Sequence, residues 1–374
     1  MAEKRKMALL CNAAFVSIAG SELVIMELAE ELLTRGWEVV ICAWVIADPM
    51  KSLAKKAGVR LLEDPLEARP FQYDLVWCQN RLEPIFDYSP SDQDVERTFF
   101  SFAHLDRTWS YAQPGVVAEG LLGQLFVVIS EKAVNRVVER GLPKPLVTMF
   151  RNAAPAVFEM APPPLKSTPE RVLIVSNHAP EELREAASRL RSEGIDVAHF
   201  GTGGDVTGHR LLPADLAGAD AVVSIGKTVP YALRARRAVY VYDHFGGPGW
   251  LTRDNFAAAR ERNFSGLCYP RKLCGAEIAE EITSGYRCAA EQAACLPAET
   301  INVFRLERFV DQLLSDAENA RTAREHRAKM EAQAVTLRTE RDLAHAAGSY
   351  FRRVIRAQLR KVAIKDGTIN HAGS

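Results

Sequence analysis

Residues 219–251 of the chain combine the residue types that approach phosphate groups. Ala221–Ile225 is an apolar run of strand length that ends in Gly226, and Lys227 stands at the mouth of a predicted helix that Thr228 opens. A helix that begins directly after a strand directs its free N–H groups and the positive end of its dipole toward an anion. The three residues after the run therefore indicate a phosphate-binding turn.

A second predicted strand, Ala238–Tyr242, is followed by polar residues and glycines. These are Asp243, His244, Gly246, Gly247 and Gly249, with Trp250 directly after them. In open parallel sheets, ligands bind at the carboxyl ends of the strands. Glycines allow close backbone approach, and an indole offers an aromatic wall. The segment is therefore predicted to be a loop that contacts a nucleotide-type ligand, with a plain tight turn as the alternative.

Two more strand ends in the second half carry polar residues at the same predicted edge. Ser176, Asn177 and His178 follow the apolar run RVLIV and precede a helix predicted over 180–193. Asn177 is expected either to cap that turn or to help hold an anion or hydroxyl at the mouth of the helix. Gly201 begins the glycine turn GTGGD, which indicates either a flexible loop or a base-recognition edge.

The first half offers two candidate positions. Gly20 and Ser21 precede the first long helix, so Ser21 is expected to be its N-cap, while Gly20 lets a phosphate or sugar approach the backbone. His104 ends the run FFSFAH, with Asp106 two residues later. A histidine at a strand end is interpreted either as structural or as a catalytic group that Asp106 orients.

Composition narrows the function classes. The 374 residues carry 47 basic and 47 acidic side chains, so no chain-wide field favours nucleic acid. The seven cysteines are odd in number and form no CxxC pair, which argues against a disulfide framework or structural zinc, and most are expected to be reduced core residues. No GxGxxG, Walker A, GxSxG or HExxH pattern stands in its required context, and no metal-ligand cluster is visible. No run reaches transmembrane length, so a cytoplasmic location is predicted.

The elements that must position these residues alternate between strand and helix patterns. Apolar runs such as MALLC and WEVVICAW flank helix-period segments over 1–155, the pattern of a doubly wound α/β domain. The proline-rich stretch 156–170 is predicted to be a linker, after which the same rhythm restarts over 171–306. The fold class predicted is α/β, with two Rossmann-like doubly wound domains that face each other across a cleft.

From residue 307 to 374 the chain has few glycines and no proline and is predicted to form a long helical extension. Its middle is highly charged and is expected to be a solvated helix. Residues 350–365 place apolar side chains at helical spacing beside arginines and lysines. That pattern is typical of a segment that binds an anionic membrane surface or a partner protein, and equally of a helix that docks on its own domain.

Together these residues resemble the GT-B glycosyltransferases, in particular the retaining, family 4-like sugar transferases of bacterial surface polysaccharide pathways. The resemblance covers roughly residues 7 to 320. FVSIAGSELVIMELAEELLTRGWEVVICAW is similar to the family's glycine-rich acceptor-side loop with its first helix and second strand. VLIVSNHAPEEL, GADAVVSIGKTVPYAL and VYVYDHFGGPGWLTRDNF resemble a donor-binding half with SNH and GGxGW motifs.

The resemblance implies an enzyme that moves a sugar from a nucleotide-diphosphate donor to a glycan or lipid-linked acceptor. The donor would be held mainly by the second half and the acceptor would enter from the first, with no metal or cofactor besides the nucleotide sugar. Lys227 and the amides of Gly226 and Thr228 match the groups that stabilise the leaving diphosphate. His104 resembles the histidine near the transferred sugar, and Gly20 is placed near the diphosphate.

One departure from the family pattern concerns the donor ribose. Where family members usually carry a glutamate in the helix after the GK turn, this chain has Pro230 and Tyr231. Either Asp243 substitutes for it, or the nucleotide is held differently, or activity is reduced. Two alternatives to transfer stay open: a sugar-nucleotide epimerase of the same fold, which needs acid and base carboxylates, and a non-catalytic protein that binds a sugar nucleotide or a partner.

Overall fold

The computed structural model of the chain describes residues 5–105 and 117–365, with side chains up to residue 361. Their contacts form two compact units. The N-terminal unit contains the described residues of 1–128, 133–148 and 313–374, and the C-terminal unit contains 129–132 and 149–312. The contacts thus group the tail after residue 312 with the N-terminal unit, whereas the sequence predicts a separate extension from residue 307.

The N-terminal unit is built on a sheet whose central strands are buried apolar runs. Its strands follow the chain in the order β1 (Met7–Cys11), β3 (Glu38–Cys42), β5 (Arg60–Leu62), β6 (Leu75–Cys78), β7 (Arg97–His104), β8 (Leu125–Val128) and β9 (Val147–Met149). Across the sheet the order is β5-β3-β1-β6-β7-β8-β9, and the pairs from β5 to β8 are parallel. This is the strand order of a Rossmann sheet, with its switch point between β1 and β6.

Short strands and helices connect these core strands. The strands β2 (Ala14–Phe15) and β4 (Val45–Ile46) pair with each other in parallel. The helices are α1 (Gly20–Thr34), α2 (Met50–Lys56), α3 (Ala118–Leu122) and α4 (Glu131–Glu139). Helix α1 follows the first strands as the predicted βαβ unit requires, and its residues 22–29 are all buried.

The cysteines divide between the core and the surface. Cys11, Cys42 and Cys78 lie side by side on three adjacent strands and are buried. All seven cysteines are free, as predicted, but the expectation that most are core residues is wrong. Cys268 is half-buried, and the remaining three, Cys274, Cys288 and Cys295, are exposed because they lie at the ends or on the outer face of a helix.

The C-terminal unit has a second, smaller sheet of order β11-β10-β12-β13-β14. Its strands are β10 (Arg171–Val175), β11 (Asp196–Phe200), β12 (Ala221–Val223), β13 (Ala238–Asp243) and β14 (Gly246–Trp250). All pairs are parallel except β13 with β14. The helices are α5 (Glu181–Ser192), α6 (Pro213–Ala217), α7 (Thr228–Arg234), α8 (Phe256–Glu261), α9 (Gly275–Ala294) and α10 (Ala298–Asn302). The switch point of this sheet lies between β10 and β12.

Strand β14 corrects the prediction of a loop at GGPGW. The segment runs antiparallel to β13, with Gly249 opposite Val241 and Trp250 opposite Tyr240. Glycine is required there because a Cβ on Gly247 would lie 2.0 Å from the carbonyl oxygen of Val241. Backbone packing inside the hairpin therefore explains this glycine without any ligand.

The predicted fold class is confirmed. Each unit is a mixed α/β structure with a mainly parallel, doubly wound sheet. The N-terminal sheet has the Rossmann strand order, and the C-terminal sheet has the other common doubly wound order, with its second strand at the edge. Helices follow toward the carboxyl end of the chain, as the sequence predicts. The predicted cleft between two halves stays a prediction.

The tail is not one long helix. It contains α11 (Leu306–Ala317), a two-residue strand β15 (Arg321–Thr322) that pairs with β7, α12 (Ala323–Glu331) and α13 (Ala334–Lys365). The break arises at a capping box in which the Glu325 N–H donates to Thr322 Oγ1 (3.2 Å) and the Thr322 N–H donates to Glu325 Oε2 (2.6 Å). Such reciprocal bonds start a new helix at Ala323. Among the helices of 5–105 and 117–365, none combines the length and apolar character that crossing a membrane requires.

The tail packs on the N-terminal unit through specific contacts. The Arg352 guanidinium lies 4.6 Å from the centre of a Trp44 ring, and Gly348 is buried under the same indole. Glu340 accepts hydrogen bonds from Arg81 (3.2 Å) and from the backbone N–H of Ala118 (3.0 Å). The alternative in which the tail docks on its own domain therefore describes this part of α13.

A pair of Gly→Ala substitutions tests the docking of α13. A Cβ on Gly348 would lie 2.1 Å from Trp44 Cζ2, so Gly348→Ala is expected to cost about 1–3 kcal/mol in overpacking. Gly120 lies in α3 with no atom near its Cβ position, so Gly120→Ala is the matched control and is expected to gain about 0.5–1 kcal/mol. Urea unfolding of both variants measures the difference. Equal free energies of unfolding would contradict the packing described here.

His326 on α12 predicts a loss of stability in acid. Its ring is fully buried against Phe100, its Nε2 lies 3.1 Å from the Thr98 carbonyl oxygen, and burial lowers its pKa to about 4. Below about pH 6.5 the unfolded state binds a proton that the folded state does not. Stability attributable to His326 is therefore lost as the pH falls from 6.5 through 4, by about 3 kcal/mol.

Urea unfolding of His326→Phe between pH 7.5 and 4 measures this contribution. The variant is expected to lose about 1 kcal/mol at pH 7.5 with its hydrogen bond, but to lose less stability than the natural chain as the pH falls. His345→Gln, at an exposed position of α13, is the control. If the free energy of unfolding of His326→Phe falls with pH as steeply as that of the natural chain, His326 is not the cause of the acid destabilisation.

Candidate functional site

The carboxyl edge of the C-terminal sheet brings the predicted loops together. Ser176, Gly201, Gly226 and His244 each follow one of the parallel strands β10 to β13. The first two loops are joined by hydrogen bonds from Ser176 N–H to the Phe200 carbonyl (2.9 Å) and from the Thr202 N–H to Asn177 Oδ1 (3.3 Å). The prediction that these strand ends share one edge is confirmed by the sheet order.

The SNH segment is open to solvent. Asn177 and His178 are exposed, and Ser176 Oγ accepts a hydrogen bond from the His178 N–H (3.2 Å). Helix α5 has Pro180 as its N-cap with no side-chain cap, so the alternative in which Asn177 caps the helix is wrong. A serine that the sequence interpretation missed, Ser224, donates to the Val175 carbonyl (2.7 Å) and ties β12 to β10 at the switch point.

The glycines at this edge differ in what surrounds them. Gly226 has a φ of +56°, and its Cβ position has only Asn263 Nδ2 nearby, at 3.8 Å. By contrast, a Cβ on Gly201 would lie 2.0 Å from the Ser176 carbonyl oxygen, and one on Gly246 would lie 2.3 Å from the Arg271 carbonyl oxygen. The Cβ position of Gly249 also lies against protein, 3.0 Å from the Glu281 carboxylate. Of these glycines, Gly226 is the one with room for a ligand.

Two backbone segments with left-handed residues, 151–152 and 263–264, meet next to Gly226. Asn152 and Asn263 both have left-handed backbones, with φ of 52° and 55°, and Asn152 Nδ2 donates to Asn263 Oδ1 at 2.7 Å. Their neighbours Arg151 and Phe264 also have positive φ. Such outliers cluster at functional sites. The sequence interpretation missed Asn263, because its place beside Gly226 comes from a tertiary contact.

Lys227 is buried beside these two segments. Its Nζ donates to the Ala153 carbonyl (2.6 Å) and lies 5.5 Å and 5.2 Å from the ring centres of Phe150 and Tyr231. A carbonyl dipole and two ring faces stabilise a buried ammonium. Lys227 and Thr228 form the start of α7, as predicted, so a fixed positive charge stands at this strand end.

Three residues that the sequence predicts to contact a ligand instead contact other parts of the protein. Tyr231 is buried and stacks on Phe158 at 4.4 Å, so it belongs to the core rather than to a surface that a donor reaches. Asp243 accepts hydrogen bonds from the N–H groups of Phe245 (2.7 Å) and Gly266 (2.8 Å), which hold the hairpin. Trp250 is buried and donates to the Glu281 carbonyl (2.8 Å), so the predicted aromatic wall is wrong.

Two exposed aromatic side chains lie at the tip of the β13–β14 hairpin. His244 and Phe245 are both exposed, with ring centres 3.8 Å apart. The pair lies at the carboxyl end of β13, where a base or sugar can stack on it. Phe245 was missed because a phenylalanine in an apolar pattern is normally interpreted as core.

In the N-terminal unit, Gly20 is the exposed first residue of α1. Ser21 is not the N-cap; its hydroxyl donates to Glu22, whose pKa is raised by burial although hydroxyl hydrogen bonds act against the shift. Gln79 Nε2 donates to the Ser21 carbonyl (2.9 Å), and Asn80 Nδ2 donates to Asn12 Oδ1. These amides line the switch point between β1 and β6, and the sequence interpretation missed them.

His104 lies at the end of β7, as predicted, and is almost completely buried. Its Nε2 is 3.1 Å from Glu119 Oε2, a buried carboxylate. Glu83 is fully buried in the same unit, and burial together with the Glu119 charge raises its pKa well above the usual range. The predicted orienting residue Asp106 lies outside the described residues. Among the described carboxylates, Glu119 lies within ion-pair distance of the imidazole.

Within 5–105 and 117–361, no group of three or more histidine, cysteine or acidic side chains is arranged to hold a metal ion. The chain matches no family model and no curated protein. Solved structures do match it. Alr3699/HepE of Anabaena in complex with UDP and glucose is 12% identical, with a TM-score of 0.53, and the match covers 83% of this chain and 100% of that one.

The same Anabaena protein in complex with UDP-glucose matches with 12% identity, a TM-score of 0.51, and coverage of 83% of this chain and 99% of that one. A glycosyltransferase from Rickettsia africae is 11% identical over 84% of this chain and 98% of that one, with a TM-score of 0.48. At this identity the HepE similarity shows the fold. This chain has the fold of the GT-B glycosyltransferases.

Proposed function

We propose that this protein is a glycosyltransferase that moves a hexosyl group from a nucleotide-diphosphate sugar to a glycan or lipid-linked acceptor. The observation that carries the proposal is the convergence of Gly226, Lys227 and the left-handed Asn152–Asn263 pair at the carboxyl edge of the C-terminal sheet. An open glycine, a fixed cation and two asparagines with left-handed backbones together suit a diphosphate. The HepE structure, which has the same fold, holds UDP-glucose.

In the proposed reaction, the bond between the anomeric carbon and the diphosphate oxygen breaks, and the acceptor oxygen bonds to that carbon as its hydroxyl proton is released. Negative charge then develops on the leaving diphosphate. Lys227 and the backbone amides of Gly226 and Thr228 stabilise this charge, with no metal in the step. Retention of the anomeric configuration and a role in surface polysaccharide synthesis are parts of the same proposal.

The rest of the donor site follows from which residues are open. Ser176, Asn177 and His178 offer hydrogen-bonding groups at the adjacent strand end, and His244 with Phe245 offers a stacking surface. In the N-terminal unit, we assign His104 to the transferred sugar, and Gly20 to a position near the diphosphate where a ligand can approach the protein backbone. We assign Glu119 as a described carboxylate close enough to orient His104, and the role predicted for Asp106 stays a prediction.

An assay with radiolabelled nucleotide sugars tests the function, beginning with UDP-glucose and including other UDP-, GDP- and dTDP-hexoses. Nucleotide release that depends on an added acceptor, with label in the acceptor, is the expected result. An isomerised donor in the absence of acceptor would instead indicate an epimerase.

A second candidate is a non-catalytic protein that binds sugar nucleotides. It is favoured by Tyr231 and Asp243, since a buried tyrosine and a carboxylate bonded to two backbone N–H groups leave the usual ribose contact unfilled. This candidate predicts that a nucleotide raises the melting temperature by binding the folded state, while no donor in the panel turns over. Acceptor-dependent turnover would eliminate it.

Location is also part of the proposal. We place the protein in the cytoplasm, at the inner membrane face, with residues 350–365 against anionic lipid or a partner protein. Arg353, Arg356 and Arg360 are exposed on α13 and supply the positive charge. In flotation with anionic liposomes, the natural chain is expected to float with the lipid. The triple Arg→Gln variant is expected to remain in the lipid-free fraction. Equal flotation of both would remove α13 from the proposal.

A further inference from the structure

A cavity of about 190 Å³ lies in the C-terminal unit, away from the predicted donor edge. Apolar side chains form most of its walls, and Thr252, Gln292, Thr300 and two arginines complete them. Most of the apolar residues come from α7, β13, α8 and the segments that follow β14 and α9. They include Leu233, Val239, Leu251, Phe256 and Leu296. An apolar cavity of this kind admits an apolar group, since a cavity of about 150 Å³ in another protein binds benzene.

Two charged side chains line this cavity, and of these Arg253 is exposed whereas Arg237 is buried. Arg237 is 4% exposed, and its Nε donates to the Leu216 carbonyl (2.7 Å). Its Nη1 has no hydrogen-bond partner among the described residues, and no described carboxylate lies within ion-pair distance of its guanidinium. One guanidinium nitrogen is therefore buried beside the cavity without a hydrogen-bond partner, while Nη2 lies 3.9 Å from Met160 Sδ. The Asp220 carboxylate attracts the guanidinium but forms no ion pair with it, and burial lowers the pKa of Arg237.

Arg234, three residues earlier in the same unit, is a buried arginine whose charge is neutralised by carboxylates. Its guanidinium is equally buried, but it pairs with Glu159 and Glu307 at 2.8 Å each. Burying an unpaired ion costs several kcal/mol, and a chain retains such a group at low cost only if something neutralises it. Because Arg237 has no partner of this kind, an anionic ligand would supply the missing charge.

We propose that this cavity binds a small organic monocarboxylate with a compact apolar body, such as an aryl or branched alkyl carboxylate. The carboxylate pairs with Arg237, and the apolar body fills the space between Leu233, Phe256 and Leu296. One carboxylate balances the one buried guanidinium, since Arg253 is exposed and already solvated. The volume limits the body to about the size of a benzene ring.

The site is separate from the proposed donor site. Val239 stands near the start of β13 and Asp243 at its end, so the two positions lie about 13 Å apart along the strand. The parallel order of the sheet puts the cavity toward the amino ends of β12 and β13, opposite the edge that carries Gly226. Binding of a carboxylate in this cavity does not require sugar transfer, so the two proposals are tested separately.

Calorimetry and thermal unfolding of the full chain with benzoate test the proposal. Benzoate is expected to bind and raise the melting temperature with increasing concentration, whereas benzamide, its neutral isostere, is expected to bind at least about tenfold more weakly. Hexanoate and 4-methylpentanoate extend the series to alkyl bodies. Equal shifts with benzoate and benzamide, or no shift with any carboxylate at tens of millimolar, would overturn the proposal.

Two variants locate the binding. Arg237→Met is expected to abolish the benzoate shift, and Arg287→Met, at an exposed arginine of α9, is the control that keeps it. Thr300→Trp leaves Arg237 intact and fills the cavity from α10, so it is expected to abolish binding too. Thr300→Trp keeps the test decisive if Arg237→Met is unstable. A benzoate shift that persists in a folded Arg237→Met or Thr300→Trp variant would refute this site.

Discussion

Replacing Lys227 by methionine is expected to lower kcat/KM for sugar transfer by about 100-fold or more. The ammonium is the fixed positive charge at the strand end that carries the open Gly226, and charge on the leaving diphosphate develops there in the proposed reaction. Loss of one such group from an enclosed site removes about 3 kcal/mol of transition-state stabilisation. Donor turnover at several concentrations, with the melting temperature measured in parallel, checks the result.

The structure also predicts a stability effect of this substitution, which must be separated from catalysis. Nζ donates to the Ala153 carbonyl, so Lys227→Met leaves that acceptor unpaired at a cost of about 1–3 kcal/mol. Lys227→Arg keeps the charge and is expected to retain more activity than Lys227→Met. Lys272→Met, at an exposed lysine of the same unit, is expected to match the natural chain. A folded Lys227→Met variant with unchanged kcat/KM would contradict the assigned role.

Replacing Arg234 by methionine is expected to cost about 3–5 kcal/mol of unfolding free energy. The guanidinium is fully buried and donates to the Ala154 carbonyl (2.7 Å), to both oxygens of Glu307 (2.8 Å each) and to Glu159 (2.8 Å). Burial alone would lower the pKa of Arg234, but its carboxylate partners raise it. Methionine leaves the partly buried Glu307 carboxylate without its cation, which is the costly outcome.

Urea unfolding at pH 7 measures this cost. Arg189→Met is the control, because Arg189 on α5 forms an exposed ion pair with Glu193 and is expected to contribute less than about 1 kcal/mol. A ΔΔG below about 1 kcal/mol for Arg234→Met would mean that the unit holds α7, the start of α11 and the 153–160 segment together by other contacts.

The sequence predicts the α/β framework well, because its signals are local. Apolar runs such as Leu75–Cys78 and Ala221–Val223 form buried strands, and the amphipathic stretch before Gly194 forms α5. The fold class and the sharing of one sheet edge by the 176, 201, 226 and 244 loops follow from that alternation. The strand order places the four separate motifs next to one another at the carboxyl edge of the sheet.

The errors concern residues whose role is decided by distant partners. GGPGW has the composition of a ligand loop, but its glycines are needed for the β13–β14 hairpin and for the close approach of Arg271. Asp243 has the chemistry of a ligand group, yet Gly266, which arrives from 23 residues away, takes its carboxylate. The tail break at Thr322 is the exception, since its capping box is a local pattern that the sequence shows.

The missed residues have the same cause. Asn263 reaches Gly226 across a long stretch of chain, and Glu119 reaches His104 although 15 positions separate them. Neither residue stands in a motif. Their signals are a left-handed backbone in one case and a buried carboxylate in the other, and both exist only once the chain is folded.

The proposed donor site at the carboxyl edge of the C-terminal sheet is tested most directly by hydrogen exchange with and without nucleotide. The natural chain is exchanged alone and with UDP, and then with GDP, ADP, CDP and dTDP. We expect at least one of these to slow exchange in the amides of residues 224–228 and 176–178, and Lys227→Met to lose that protection. Protection confined to other segments, or none with any of the five nucleotides at millimolar concentration, would contradict the account.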